Sequence, residues 1–115
     1  MSEIKDLTEK IIEFRDERDW KKFHSPKDVA ISLSIEAAEV LEHFKWKSNE
    51  EIEKYIKTDK EQIGKELADV LNHILILAHD LDIDIVKATE DKIKENHEKY
   101  PVEKIKGRYV KYDKL

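Results

Sequence analysis

Apolar side chains recur every three or four residues along most of the chain. The first stretch shows this with Ile4, Leu7 and Ile11, and no stretch alternates strictly between apolar and polar positions as a half-buried strand does. This spacing is typical of amphipathic helices with one face turned to a core. We therefore predict an all-α protein of the four-helix-bundle type, with main helices over residues 2–18, 25–45, 58–81 and 84–99 and a short extra helix over 48–56.

Capping residues mark the helix boundaries. Ser25, Ser48 and Thr58 each precede a periodic stretch and are followed three positions later by an acidic residue, which is the signature of a helix N-terminus. Pro101 ends the last helix, because proline disfavours helical geometry in the residue before it. The basic tail over 102–115 is expected to be irregular. We place residues 1–115 in a single domain, since a chain of this length suits one domain and hardly two.

Two of the predicted helices carry acidic residues inside their apolar faces. On a helical wheel, Glu36 and Glu39 lie between two apolar arcs, and Glu66 and Asp69 do the same on the long helix. Each pair places two carboxylates one turn apart on one face. The simpler interpretation is a solvated helix edge, because most helical acids are exposed. Against it, no Lys or Arg shares either strip, and an unpaired carboxylate among apolar side chains is costly.

A divalent cation would resolve this conflict, because its charge holds several carboxylates ionised together. Ligands that are all oxygen suit Mg²⁺, with Mn²⁺ as a substitute. Iron is disfavoured, since di-iron bundles use Glu-x-x-His and this spacing does not occur in the chain. The candidate metal-binding and catalytic residues are therefore Glu36, Glu39, Glu66 and Asp69.

Composition narrows the function further. The chain of 115 residues is 43% charged and carries a formal net charge of −5. No run approaches the roughly 20 apolar residues of a membrane-spanning helix, so we expect no membrane partner. The acidic balance argues against binding to nucleic acid, so we expect no nucleic-acid partner either. With no Cys and 2 Gly, a disulfide framework and a Gly-rich phosphate loop are excluded. The N-terminus lacks the apolar segment of a signal peptide, which favours a cytoplasmic protein.

Several short motifs resemble one enzyme family. The pairs Glu-x-x-Glu and Glu-x-x-Asp match the metal signature of the all-α nucleoside triphosphate pyrophosphohydrolases, the MazG-like group. The surrounding blocks look like the dCTP pyrophosphatase branch: FRDERDW at 14–20, FHSPKD at 23–28, HFKW at 43–46, ELADVL at 66–71 and N-x-x-KYP at 96–101. The resemblance covers residues 7–101, nearly the whole chain.

The resemblance implies hydrolysis of a (deoxy)nucleoside triphosphate between its α and β phosphates, giving monophosphate and pyrophosphate. It also implies Mg²⁺, a helical bundle, a homo-oligomer, and the four acids as metal ligands. Trp20, His24 and Trp46 would line the base and sugar pocket. Each Trp has the alternative role of a core or interface anchor, which is where Trp usually occurs.

Four further positions concern the substrate. By the same resemblance, Lys92 and Asn96 would face the phosphates from the last helix. Where the dCTP enzymes have an aromatic residue one turn after the signature Asp, this chain has His73, so the base preference is less defined than the reaction. Arg15 is a candidate cation for the phosphates, because the chain lacks a Gly-rich loop. A solvated helix face is the alternative for Lys92, Asn96 and Arg15.

The second helix carries a second apolar arc, formed by Ile31, Ile35 and Ala38, and Ile76 flanks the strip on the long helix. A lone bundle needs only one buried face per helix. We therefore expect a second subunit to cover these positions, in a homodimer or a homotetramer.

Two alternative functions stay open. One is a related pyrophosphohydrolase that acts on dUTP, other triphosphates or phosphoribosyl-ATP. The other is a non-enzymatic helical interaction module whose acids are surface charge. Trp20, His24 and Trp46 favour a pyrimidine triphosphate, and stabilisation by Mg²⁺ would separate an enzyme from an interaction module.

Overall fold

A computed structural model of the protein describes residues 2–115, and Met1 lies outside them. Within the described residues the chain forms helices and turns and contains no strand, so the all-α prediction is confirmed. Two single 3₁₀ turns cover Lys21–Phe23 and Tyr112–Lys114. The α-helices are α1 (Glu3–Glu17), α2 (Pro26–Glu42), α3 (Asn49–Asp80), α4 (Ile85–Lys99) and α5 (Val102–Ile105).

Short polar side chains begin the helices as the capping signals predict. The Ser25 hydroxyl accepts the backbone N–H of Asp28 at 3.1 Å, with Pro26 at the first helical position. Ser48 and Glu51 form a reciprocal capping box, each side chain accepting the other residue's N–H at 3.2 Å. These bonds satisfy N–H groups that have no partner inside a helix, and they fix where α2 and α3 start.

The predicted short helix and the predicted long helix are one helix, α3, kinked at Asp59. Asp59 has φ −116° and ψ 16°, outside the helical region. The Thr58 hydroxyl lies 2.7 Å from the Asp59 carboxylate and 3.1 Å from the Tyr55 carbonyl oxygen, so it bonds locally instead of capping a new helix. Side chains that compete in this way for backbone groups bend helices without ending them.

The tail is more ordered than its composition suggests. It contains α5 and the second 3₁₀ turn, which corrects the expectation of an irregular segment. The Tyr112 ring packs edge-on against Tyr100 at a centroid distance of 6.2 Å, and the Lys99 ammonium lies 4.7 Å from the Tyr112 ring centre. Aromatic and cation–π contacts thus hold the end of the chain against the end of α4.

Contacts divide the chain into two units, one ending at Asp82 and the other spanning Ile83–Leu115. A single domain over residues 1–115 stays a prediction. In the first unit, α3 packs against both α1 and α2, and its buried core contains Val29, Leu75, Ile76 and Ala78. The expectation that Ile76 awaits a second subunit is wrong, since it is only 7% exposed in the folded chain. Among residues 2–115, no helix is long and apolar enough to cross a membrane.

Candidate metal and nucleotide site

Three carboxylates converge where α2 crosses α3. Glu36 and Glu39 lie one turn apart on α2, and Glu66 lies on α3 after the kink. Each offers one oxygen, and these three oxygens lie within 4.8 Å of one another. All three side chains are half-buried. The polar strip predicted on each helix therefore meets the other strip across the helix–helix contact.

Burial and crowding raise the pKa values of two of these acids. For Glu36, burial raises the pKa most, followed by the hydrogen bond and charge of Glu39 and the charges of Asp69 and Glu66. For Glu66, burial again comes first, then the hydrogen bond and charge of Glu39 and the charge of Asp69. Both effects disfavour the charged form. The cluster thus holds more negative charge than its surroundings stabilise.

A divalent cation fits this arrangement. Glu36 Oε2 and Glu66 Oε2 are buried and have no hydrogen-bond partner among residues 2–115. Buried carboxylate oxygens normally have one, and two orphaned oxygens beside a third carboxylate are what a bound cation would satisfy. The donor set is oxygen only, which suits Mg²⁺ or Mn²⁺ better than a thiolate- or imidazole-binding ion.

Asp69, the fourth predicted ligand, lies one turn after Glu66 on α3 and is exposed. Its charge reaches the site, because it raises the pKa values of Glu36 and Glu66. Within the described residues, however, the group of converging oxygens consists of Glu36, Glu39 and Glu66. His73, a further turn along, bonds through Nδ1 to the Asp69 carbonyl oxygen at 2.8 Å, so its ring is held beside this face of α3.

The two predicted pocket tryptophans are both accessible. Trp20 follows α1 and is 44% exposed, with its ring edge-on to Phe14 at 5.8 Å between centroids. Trp46 follows α2 and is 93% exposed. Neither is buried in the core of the first unit, so the alternative role of core anchor is not supported for either side chain.

His24 and Arg15 lie near one another in the same unit. His24 is half-buried, and its Nδ1 has no hydrogen-bond partner in the part of the chain that the structure describes. Its pKa is lowered first by burial and then by the positive charge of Arg15. Arg15 is 2% exposed and pairs with Asp80 through two bonds, Nη1–Oδ2 at 2.8 Å and Nη2–Oδ1 at 3.0 Å. This pairing makes Arg15 an internal cation that joins α1 to the end of α3, and contact with a phosphate stays a prediction.

Lys92 and Asn96 belong to the second unit. Lys92 is exposed, with its ammonium 3.5 Å from the Glu95 carboxylate. Asn96 lines a small surface pocket of about 270 Å³ together with Ile93, His97 and Tyr100. Their contact with substrate phosphates stays a prediction.

Sequence reasoning missed two side-chain pairings in the first unit. One is Arg15 with Asp80, and the other is a hydrogen bond of 2.5 Å between His43 Nδ1 and the Tyr55 hydroxyl. On the helix predicted over residues 25–45, His43 shares a strip with Glu36 and Glu39, which was a signal that it faces the next helix; in the structure it directly follows α2. No local pattern identified the partners, because both pairs connect residues from different elements of the fold.

Comparisons with known proteins identify the family. Residues 31–115 match the MazG-like family, and the chain therefore belongs to it. It is 34% identical over 114 residues to dCTP pyrophosphatase 1 of Rattus norvegicus and 30% identical to that of Homo sapiens, covering 97% of this chain and 67% of each relative. A crystal structure of a pyrophosphatase from Archaeoglobus fulgidus superposes with a TM-score of 0.82 at 38% identity, over 88% of this chain and 94% of the other.

These findings confirm two predictions made from the motifs. The resemblance to MazG-like proteins of the dCTP pyrophosphatase branch is confirmed, and so is the expectation of an enzyme of the pyrophosphohydrolase class. The identity of the nucleotide and the roles of individual residues are separate questions, which the geometry of the site addresses.

Proposed function

We propose that the protein hydrolyses a deoxynucleoside triphosphate, dCTP or a modified dCTP, to the monophosphate and pyrophosphate in a Mg²⁺-dependent reaction. The observation that carries this proposal is the convergence of three carboxylate oxygens within 4.8 Å, two of the carboxylates having an orphaned buried oxygen. The identities of the relatives, dCTP pyrophosphatase 1 and a pyrophosphatase, support the same reaction.

Glu36, Glu39 and Glu66 would hold the metal, with Asp69 as a further ligand or as a charge that attracts it. When bound, Mg²⁺ supplies positive charge to the phosphate oxygens and makes a bound water more acidic. The acids of the chain would set the position of that charge. Because these acids are half-buried, the attraction between the charge and the phosphate oxygens would be stronger than in bulk water. Phosphoryl transfer depends mainly on such positioning and charge neutralisation.

Trp20 and Trp46 would stack on the base, since both rings are accessible and every base has a stacking face. Stacking alone discriminates poorly among bases. His24, with an unpartnered Nδ1, is the group we expect to recognise the base edge or the sugar, because an unpaired polar group penalises the wrong substrate. Lys92 and Asn96 would contact the phosphates.

We also propose a homodimer or homotetramer. Ile31 and Ile35 are 48% and 53% exposed on α2, and two large apolar side chains one turn apart form a face that a second copy would cover. As a cytoplasmic enzyme of this class, the protein would control nucleotide pools or remove modified nucleotides.

The test is a turnover screen of dNTPs and NTPs with pyrophosphate release as the readout, in Mg²⁺ and in EDTA. We expect dCTP to be the best of the unmodified substrates, no turnover in EDTA, and rescue by Mg²⁺. Glu36→Gln should abolish turnover, whereas Glu61→Gln, an exposed acid on the same helix as Glu66, should not change it.

Each alternative function has its own outcome in this screen. Preferred turnover of dUTP or another triphosphate would replace the substrate assignment and keep the reaction. Full activity in a metal-stripped sample would overturn the metal site. No turnover of any triphosphate, together with no thermal stabilisation by Mg²⁺, would favour the interaction module.

A further inference from the structure

Trp46 stands on a strained turn. The segment of residues 43–48 joins α2 to α3, and within it Trp46 has a φ of 64°. Bulky side chains rarely adopt this left-handed region, because Cβ approaches the following carbonyl oxygen. Such a conformation persists only where the surrounding structure holds it in place.

The Trp46 ring itself does not hold the turn. It is 93% exposed, so it packs against almost nothing, and rotation about χ1 and χ2 turns the ring around a Cα–Cβ bond whose direction the backbone sets. Whatever fixes the backbone of this segment therefore fixes the point from which the ring extends and limits the region that it reaches.

Tyr55 contacts the segment on both sides of Trp46. Its hydroxyl hydrogen-bonds to Nδ1 of His43, three residues before Trp46, at 2.5 Å, and the two rings lie 5.7 Å apart. The Lys47 ammonium, one residue after Trp46, lies 4.5 Å from the centre of the Tyr55 ring, within the range of a cation–π contact. Tyr55 is half-buried in the second turn of α3, whose start is fixed by the Ser48–Glu51 capping box.

We propose that Tyr55, acting through His43 and Lys47, is the positioning residue for the backbone of Trp46 and keeps its ring within reach of a nucleobase. The part concerning the nucleobase rests on the proposed function, whereas the part concerning the ring does not. A ring carried on a restrained segment loses less freedom on binding than one on a mobile segment, so the benefit appears in substrate affinity. Tyr55 does not contact the reacting atoms and should leave the chemical step unchanged.

The first test needs no substrate. In a Trp20→Phe background Trp46 is the sole tryptophan, and its time-resolved fluorescence anisotropy reports how freely the ring moves. Tyr55→Phe removes the hydroxyl and keeps the ring, and we expect a faster and larger loss of anisotropy. Lys47→Gln removes the other contact and should act in the same direction, which keeps the test usable if one variant folds poorly. Tyr109→Phe, at a fully exposed tyrosine of the tail, should change nothing.

The second test is kinetic. We expect Tyr55→Phe to raise KM for the accepted triphosphate by about three- to tenfold with kcat unchanged, a part of what complete loss of the stacking ring costs. In a Trp46→Ala background the same change should have no further effect on KM, because there is no ring left to position.

Unchanged anisotropy in both Tyr55→Phe and Lys47→Gln would overturn the positioning role. An equal rise in KM with and without Trp46 would overturn the link to the nucleobase, since it would indicate a general structural effect. If no triphosphate is hydrolysed, the proposed function fails, while the anisotropy measurement still decides whether Tyr55 holds Trp46.

Discussion

The pair formed by Arg15 and Asp80 lies where α1 meets the end of α3. The Arg15 side chain is 3% exposed and that of Asp80 is 13% exposed, and their two hydrogen bonds measure 2.8 and 3.0 Å. Asp80→Asn would keep the shape of the side chain but remove the charge that compensates the guanidinium. Breaking a buried pair in this way costs about 3–5 kcal/mol. We expect the lower half of that range, because Asp80 is partly accessible to water.

A loss of this size is large compared with the about 5–15 kcal/mol that stabilises a typical domain. It corresponds to a fall in melting temperature of about 10–20 °C for a chain of this length. The measurement is urea unfolding followed by circular dichroism, with Arg15→Met, Asp80→Asn and the double variant completing a cycle. The double variant should be more stable than Asp80→Asn alone, since it no longer buries an unpaired charge.

A cost below about 1 kcal/mol for Asp80→Asn, the value typical of surface pairs, would refute this reasoning. The pH dependence gives an independent check. Burial opposes ionisation of Asp80, but the hydrogen bonds and charge of Arg15 outweigh it and hold the pKa of Asp80 below its ordinary value. The stability that the pair contributes is therefore complete above the unfolded pKa near 3.9 and is lost as pH falls through the lower folded pKa. Asp80→Asn should remove this part of the acid sensitivity.

Three further predictions concern the site and the assembly. Glu39→Gln should lower turnover by about 100-fold or more, because the metal loses a ligand. In EDTA the same change should raise the melting temperature, because it relieves the repulsion among the three carboxylates. A lower melting temperature in EDTA would contradict the crowding of these acids. Trp20→Ala should raise KM for every accepted triphosphate by about five- to 150-fold. His24→Ala should instead change the ratio of dCTP to dUTP turnover. Unchanged kinetics together with lowered stability would show that both residues are structural. Light scattering at micromolar concentration should give a dimer or tetramer, and Ile35→Lys should shift it toward monomer; a monomeric parent protein would exclude the proposed interface.

Local patterns were sufficient for the helices and their beginnings. The Ser25 and Ser48 caps act over three or four residues, and their N–H partners are neighbours in the chain. Glu36 and Glu39 share a face for the same reason, since residues three apart on a helix lie side by side. The kink at Asp59 was not foreseen, because the local bonds of Thr58 and Asp59 bend α3 without separating it into two helices.

Tertiary structure decided what crosses between helices. Periodicity identified two acidic strips, but only the packing of α2 on α3 brings Glu66 within reach of Glu36 and Glu39. The fold also buries Ile76, which sequence reasoning had left for a second subunit. For Arg15, only the fold revealed the partner Asp80, 65 residues along the chain. The hydrophobic period determines which face of a helix turns inward, whereas the crossing of two helices determines which residues on those faces meet.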